Sequence, residues 1–300
     1  MSAAIERIRT LGLWTGPVEP RPLKGGLSNE SFTVEDAGAR YVVRLGRDFP
    51  MHHVFRDRER EISAAAFAAG FAPQLVHGEP GIMVFAFIDG RTFAEADVQA
   101  NISGIAALVR AYHVEMPRHV RGPASLFWVF HVIRDYARTL EEGHSRMRGH
   151  LGRYRALAEQ FESVQVSLPI IFGHNDLLPA NFIDDGTRIW LIDYEYAAFS
   201  TAMFDLAGIA SNALFAPEQD RELLWEYFGR EPEPALIQSH AAMKCASLLR
   251  EAMWSMVSEI HLDTPGVDYV AYTAENLARF DKALDSYESR FGKMTVKTDD

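Results

Sequence analysis

Four polar side chains lie close together in the segment "FGHNDLLPANFIDDGTRIWLIDYEY", residues 172–196: Asp176, Asn181, Asp193 and Glu195, set around an apolar run. Carboxylates among apolar residues are costly unless a cation or a hydrogen-bond donor meets them. Asp176 and Asn181 stand five positions apart, in the pattern H-x-D-x-x-x-x-N that begins at His174. Held on one loop, that Asp can take the proton of an attacking hydroxyl, while the Asn lends a neutral oxygen to a phosphate-bound Mg²⁺. A turn at Asp184-Asp185-Gly186 then leads into the apolar strand "RIWLID", which delivers Asp193 at its end. Magnesium takes a few hard oxygens plus substrate phosphates, so a carboxylate there is placed to grip the metal. Singly, each residue has an ordinary reading: Asp176 as a helix N-cap, Asn181 as a turn residue, Asp193 as a strand end, His174 as a hydrogen-bonded scaffold. Order and spacing together, with Asp205 following in "MFDLA", favour phosphoryl transfer and leave His174 and Asp205 structural roles.

The elements that must position these residues fall into two halves. From Arg21 to Asp89 the chain is strand-rich, with one helix: "SNESFTVED" and "RYVVRLG" alternate apolar and polar residues around Asp36-Ala37-Gly38, which predicts a β-hairpin. "FRDREREISAAAFAAGF" supplies helix formers and stops at Gly70, with Pro73 beyond. Two short strands follow around Glu79-Pro80-Gly81. Past Gly90 the periodicity predicts helices over 97–112, 128–143, 152–164, 204–214, 219–228, 234–259 and 268–291. The expectation is an α+β protein with a sheet lobe over 1–89, a helical lobe over 90–300 and a cleft between them.

Composition bounds the partners. The 300 residues are 48% hydrophobic, enough for a sizeable core, and carry a net charge of −11. That balance disfavours a broad nucleic-acid or anionic-membrane surface and suits a small or cationic partner. One cysteine, Cys245, excludes an intrachain disulfide or a Cys-rich zinc site and fits a reducing cytoplasm. No uncharged apolar run approaches the ~20 residues that cross a bilayer, the N-terminus "MSAAIERIRTLGLW" has no continuous apolar centre, and "KMTVKTDD" reads as a frayed tail.

The chain resembles the aminoglycoside phosphotransferase and choline/ethanolamine kinase superfamily, small-molecule relatives of protein kinases. "HNDLLPANF" resembles its catalytic loop, "LIDYEYA" its metal segment and "FDLA" the helix that follows, and the likeness runs from about Pro22 to Phe291. It implies a bilobal protein-kinase-like fold, ATP as co-substrate and Mg²⁺ as cofactor. "IDYEYA" is closer to the choline/ethanolamine branch than to the antibiotic-modifying enzymes.

On the nucleotide side, Gly25 and Gly26 in "KGGLSNESF" would let backbone N–H groups approach phosphates, with Ser28 and Asn29 donating further hydrogen bonds; alone, such a loop is an ordinary turn. Arg44 in "YVVRL" stands where protein kinases place a phosphate-contacting Lys, and the choline kinase branch resembles this chain in using Arg there. Its carboxylate partner is Glu59 by the family pattern, with Glu61 open. The backbone near Phe85 and Phe87 is placed for adenine.

On the acceptor side the resemblance implies aromatic faces and a carboxylate around an ammonium group, here Trp254, Tyr272, Glu195 and Glu251. Trp254 and Tyr272 also lie at helical spacing and fit a plain core. The chain departs from the pattern at Glu251, where a Trp is expected, and at Phe199, where a Tyr is expected. The reading is a kinase of a choline- or ethanolamine-like amino alcohol. The alternatives are a kinase of an aminoglycoside, sugar or amino acid, and a non-catalytic pseudokinase using the cleft for recognition. Oligomeric state is open.

Overall fold

The computed structural model describes residues 2–23, 29–264 and 266–293. The α+β architecture follows the expected order. The first half is a five-stranded antiparallel sheet in the order β1-β2-β3-β5-β4, formed by β1 (Arg21–Leu23), β2 (Glu30–Asp36), β3 (Ala39–Leu45), β4 (Leu75–Glu79) and β5 (Ile82–Ala86). β2 and β3 join through Ala37 and Gly38, both at positive φ (49° and 81°), the backbone a two-residue hairpin turn needs to match strand twist. Alternation along β3 then decides where Arg44 points. Val43 is fully buried, packing with Val34, Val84 and Ile8, so its neighbour Arg44 must face the opposite side of the sheet. Ile8 comes from α1 (Ser2–Arg9), a helix the sequence reading did not anticipate.

α2 (Arg56–Ala68) crosses between β3 and β4 and buries Glu59, Ile62 and Ala66. The helix expected over 97–112 is two, α3 (Glu95–Ala100) and α4 (Ile102–Glu115), broken at Asn101. Asn101 has φ −132° and ψ 40°, outside helical geometry. α5 (Val129–Glu142), α6 (Leu151–Ser163), α8 (Pro217–Phe228) and α10 (Tyr269–Phe291) lie within two residues of their expected bounds. α9 (Pro234–His261) is the central helix, packed on α10, α5, α6 and on α7 (Ala202–Asn212). Among the described residues no helix is long and apolar enough to cross a membrane.

The segment with the candidate chemistry is held by short strands, of which the sequence marked the apolar one that leads to Asp193. β6 (Arg91–Thr92), β8 (Phe182–Asp184) and β9 (Ile189–Leu191) form one small sheet, and β7 (Ile170–Gly173) pairs antiparallel with β10 (Ala198–Thr201). Gly173 lies opposite Ala198 in that pair, so the chain leaving β7 at His174 runs beside the chain entering β10 from Asp193. This pairing brings the two halves of the motif together.

Candidate active site

The loop after β7 is shaped by one buried carboxylate. Asp205, in the first turn of α7 and 1% exposed, accepts the backbone N–H of His174 at 2.8 Å and of Asn175 at 2.7 Å. Nε2 of the buried His113 donates to the same carboxylate at 2.8 Å, and the Tyr227 hydroxyl lies 2.7 Å from the other ring nitrogen. Burial alone would raise the Asp205 carboxyl, but His113, His174 and the backbone N–H group hold it below its ordinary value. Space here is tight. A Cβ on Gly173 would sit 2.8 Å from Asn175 Oδ1 and 3.1 Å from Asp205 Oδ2.

Asn175, with φ 60°, is a residue that sequence reasoning passed over. Its amide donates to the carbonyls of Tyr196 and Ala198, at 3.1 and 3.3 Å, and so ties the Asp176 loop to the Asp193 segment. His174 Nε2 donates to the Ile192 carbonyl at 3.0 Å, a second tie between the same two segments, and burial keeps the ring's pKa low.

Asp176 and Asn181 are adjacent in space. Asn181 Nδ2 donates to the Asp176 carbonyl at 2.8 Å and approaches its carboxylate at 3.5 Å, which turns the Asn181 oxygen away from Asp176. Burial pushes the Asp176 carboxyl well above the usual range; Arg250 opposes the rise, while Asp193, Glu251 and Glu195 add to it. The side chain keeps partial exposure, so solvent moderates that rise. Asp193 sits at φ 69°, a left-handed backbone uncommon for a residue other than Gly, Asn or Asp.

Asp193 meets Arg44 across the cleft, Nη2 to Oδ1 at 2.8 Å. The carboxylate on the other side of Arg44 is Glu59, Nη1 to Oε1 at 3.0 Å, its side chain fully buried; Glu61 is exposed on the outer face of α2. These two carboxylates, with Glu195, hold the Arg44 pKa above its ordinary value against desolvation. Glu59 also takes Arg56 at 2.5 Å, and Arg56 reaches Glu195 at 2.8 Å. Glu195, expected at an ammonium group, is thus engaged by a protein cation and 9% exposed. Burial, then Asp193, raises its pKa, and Arg56 pulls it down. Arg56 gave no sequence signal, because its partner Glu195 lies 139 positions away.

Asn29, Arg44, Phe85, Phe87, Asn181 and Asp193 all line one cleft of about 370 Å³. Gly25, Gly26 and Ser28 lie outside the described residues. The expectation that the backbone at Phe85–Phe87 binds adenine needs adjustment. The N–H of Ala86 already donates to the Gln74 carbonyl and that of Phe87 to the Arg40 carbonyl, and the Arg40 guanidinium covers the Phe87 ring at 4.0 Å. Ile88 is the next residue on the cleft wall.

A second, narrow recess opens beside Asp176, lined also by Phe204, Leu248, Arg250 and Glu251. Trp254 and Tyr272, expected on an acceptor wall, do not line it. Trp254 is 7% exposed, stacks on His52 at 4.8 Å between ring centroids and donates to the Tyr196 hydroxyl at 3.0 Å. Tyr272 donates to Glu251 Oε1 at 2.9 Å. α9 turns Arg250 and Trp254 inward about one turn apart, while Tyr272, on α10, meets the recess wall through Glu251. Phe199 packs edge-on against Phe172 at 5.2 Å, away from that wall.

For a divalent cation, no three His, Cys, Asp or Glu side chains gather among the described residues. Asn181 and Asp193 on the cleft wall would offer two oxygen atoms, and Mg²⁺ ordinarily takes one or two protein ligands beside substrate phosphates, so these residues fit such an ion.

This fold is shared with small-molecule kinases of the protein-kinase-like superfamily. An aminoglycoside phosphotransferase in a ternary complex with AMP-PNP and hygromycin B superposes with a TM-score of 0.69 at 16% identity, over 97% of this chain and 100% of that one. A choline/ethanolamine kinase family protein from Mesorhizobium loti superposes with a TM-score of 0.70 at 27% identity, over 94% of this chain and 93% of that one. The sequence model of the choline/ethanolamine kinase family matches residues 21–214, and the chain belongs to that family. A probable ethanolamine kinase from Arabidopsis thaliana is 28% identical over 203 residues, covering 61% of this chain and 53% of the plant protein. The protein is a small-molecule kinase.

Proposed function

We propose that the protein transfers the γ-phosphoryl group of ATP to the hydroxyl of a small amino alcohol, choline- or ethanolamine-like, with residues 1–89 as the nucleotide-binding lobe and 90–300 as the catalytic and acceptor-binding lobe. One observation carries the reading: Arg44, Asn181 and Asp193 face one cleft, and Asp176, which lines a separate recess, adjoins Asn181. Phosphoryl transfer asks little covalent chemistry of a protein and much positioning and charge neutralisation. Arg44, fixed by Glu59 and Asp193, offers cationic N–H groups to the α- and β-phosphates. Phe85 and Ile88 enclose adenine, with the Ile88 backbone in place of the engaged Ala86 and Phe87 amides. Asp176 accepts the acceptor's hydroxyl proton, with Asn181 holding its loop in place. Asn181 and Asp193 would hold Mg²⁺, which when bound neutralises phosphate charge. Asp205 and Asn175 keep the Asp176 loop and the Asp193 segment in register.

The amino-alcohol assignment rests on the family and on the acidic side chains around the recess. The test is calorimetric titration with ATP. Binding should tighten at least tenfold with Mg²⁺, and Asp193→Ala should remove most of that gain. ATP affinity indifferent to both the ion and Asp193 would contradict the reading.

A further inference from the structure

The acceptor recess contains a guanidinium that no family motif called for. Arg250, on α9, is 4% exposed and lines the recess beside Asp176. Its charged plane lies over the Tyr196 ring, 4.4 Å from the centroid, with Phe127 at 6.0 Å. Nη1 donates to Glu251 Oε2 at 3.0 Å. Nε and Nη2 are buried and have no hydrogen-bond partner among the described residues. Buried donors without acceptors are rare in folded proteins, and leaving those of a charged group unmet is costlier than for a neutral one. The pair left over is chemically specific. Nε–H and the adjacent Nη2–H form the side-on edge of the guanidinium, two parallel donors spaced for the two oxygens of a carboxylate.

The neighbour of that edge matters equally. Glu251 is held by the Tyr272 hydroxyl on Oε1 and by Arg250 on Oε2, so the wall presents a carboxylate and a guanidinium side by side. The two charges cancel. Asp176 and Asp205 also line the recess, so a plain ammonium ion meets negative charge there but leaves the Arg250 edge unpaired, whereas a zwitterion engages both.

We propose that the acceptor is an amino alcohol that also bears a carboxylate, a hydroxy-α-amino acid, with its carboxylate on the Nε/Nη2 edge of Arg250, its ammonium against Glu251 and its hydroxyl toward Asp176. This rests on the kinase reading above and narrows the substrate class. The reaction balances as a simple transfer: the acceptor oxygen bonds to the γ-phosphorus, the bridging P–O bond to ADP breaks, and the hydroxyl proton passes to Asp176. Arg250 is here a specificity-determining residue, touching the acceptor away from the reacting atoms.

The test compares ATP-dependent phosphate-ester formation on L-serine, L-homoserine, ethanolamine and choline, by wild type, Arg250→Lys and Arg250→Met. Wild type should favour one of the two amino acids over both amines by at least tenfold in kcat/KM. Arg250→Lys keeps the charge but loses the fork; it should raise KM for the preferred amino acid about tenfold or more, and several times more than it raises the amine KM values. Arg250→Met, checked for folding by its thermal transition, should abolish the preference. Should wild type favour ethanolamine or choline, the carboxylate assignment is overturned while the kinase reading stands. Equal losses on amines and amino acids in Arg250→Lys would likewise overturn it, leaving Arg250 a packing residue. If no compound on the panel is phosphorylated, both the kinase reading and this inference fall, provided that the Mg²⁺-dependent ATP binding predicted above is also missing; if ATP binds, only the acceptor class is overturned.

Discussion

On the nucleotide side of Asp176 the buried charges meet one another: Arg44 joins Glu59 to Asp193, and Arg56 joins Glu59 to Glu195. On the acceptor side Arg250 satisfies only one arm on Glu251 and keeps two buried donors without acceptors. The contrast separates two tasks. If this side holds the nucleotide as proposed, its ion pairs fix the charged groups near their places before the phosphates arrive. If Arg250 faces the acceptor as proposed, discrimination follows from its unpaired donors, because a ligand lacking the partner leaves them buried and unpaired.

Two substitutions probe what holds each side. The larger effect falls on the catalytic side. Asp205→Ala strips acceptors from two backbone N–H groups and a buried histidine at once, and should cost about 3–5 kcal/mol of unfolding free energy. Denaturant unfolding measures it. A loss under about 1 kcal/mol would mean that the loop after β7 holds its shape without Asp205, and the contrast between a preorganised and an open wall would lose its first half.

The smaller effect falls behind the acceptor wall and depends on pH. His52 is 2% exposed, stacks on Trp254 and lies 3.1 Å from the Ser258 hydroxyl. Burial, with Arg250 and two histidines adding to it, lowers its pKa from 6.5 to about 3. The folded state therefore binds this proton less readily than the unfolded chain does. The contribution is fully present above pH 6.5 and is lost as pH falls toward about 3. At pH 5 the loss attributable to His52 should be about 2 kcal/mol. Unfolding of wild type and His52→Gln at pH 7 and pH 5 isolates it: the variant should lose less on acidification by that margin, and identical losses would place the acid sensitivity elsewhere.

What the sequence made legible follows the distance over which its signals act. Asp176, Asn181 and Asp193 are separated by short, fixed spacings, and a motif of hard oxygens around a strand is visible without the fold. Most helices were legible because burial of one face imposes a 3.6-residue period. The break at Asn101 was not, since Asn within an apolar pattern reads as a tolerated polar residue. β7 and β10 were not, because four-residue strands carry little alternation, and their pairing is what sets His174 beside the Asp193 segment. Partnerships across long separations left no local trace: Arg56 with Glu195, and His113 with Asp205. Arg250 had a faint signal, a lone cation in the apolar stretch "CASLLREAMW". Trp254 and Tyr272 were ambiguous because helical spacing describes a core and a binding wall equally well; in the fold Trp254 stacks on His52 and Tyr272 bonds to Glu251.

The account depends most on Asp176 as the base that receives the acceptor's proton. Single-turnover transfer from ATP to the preferred acceptor, followed by phosphorus NMR for wild type and Asp176→Asn, tests this most directly. The predicted result is a phosphate ester in wild type and a rate at least about a thousandfold slower in the variant, with ATP affinity retained because the metal and phosphate ligands are untouched. An Asp176→Asn enzyme that forms the ester at the wild-type rate would contradict it.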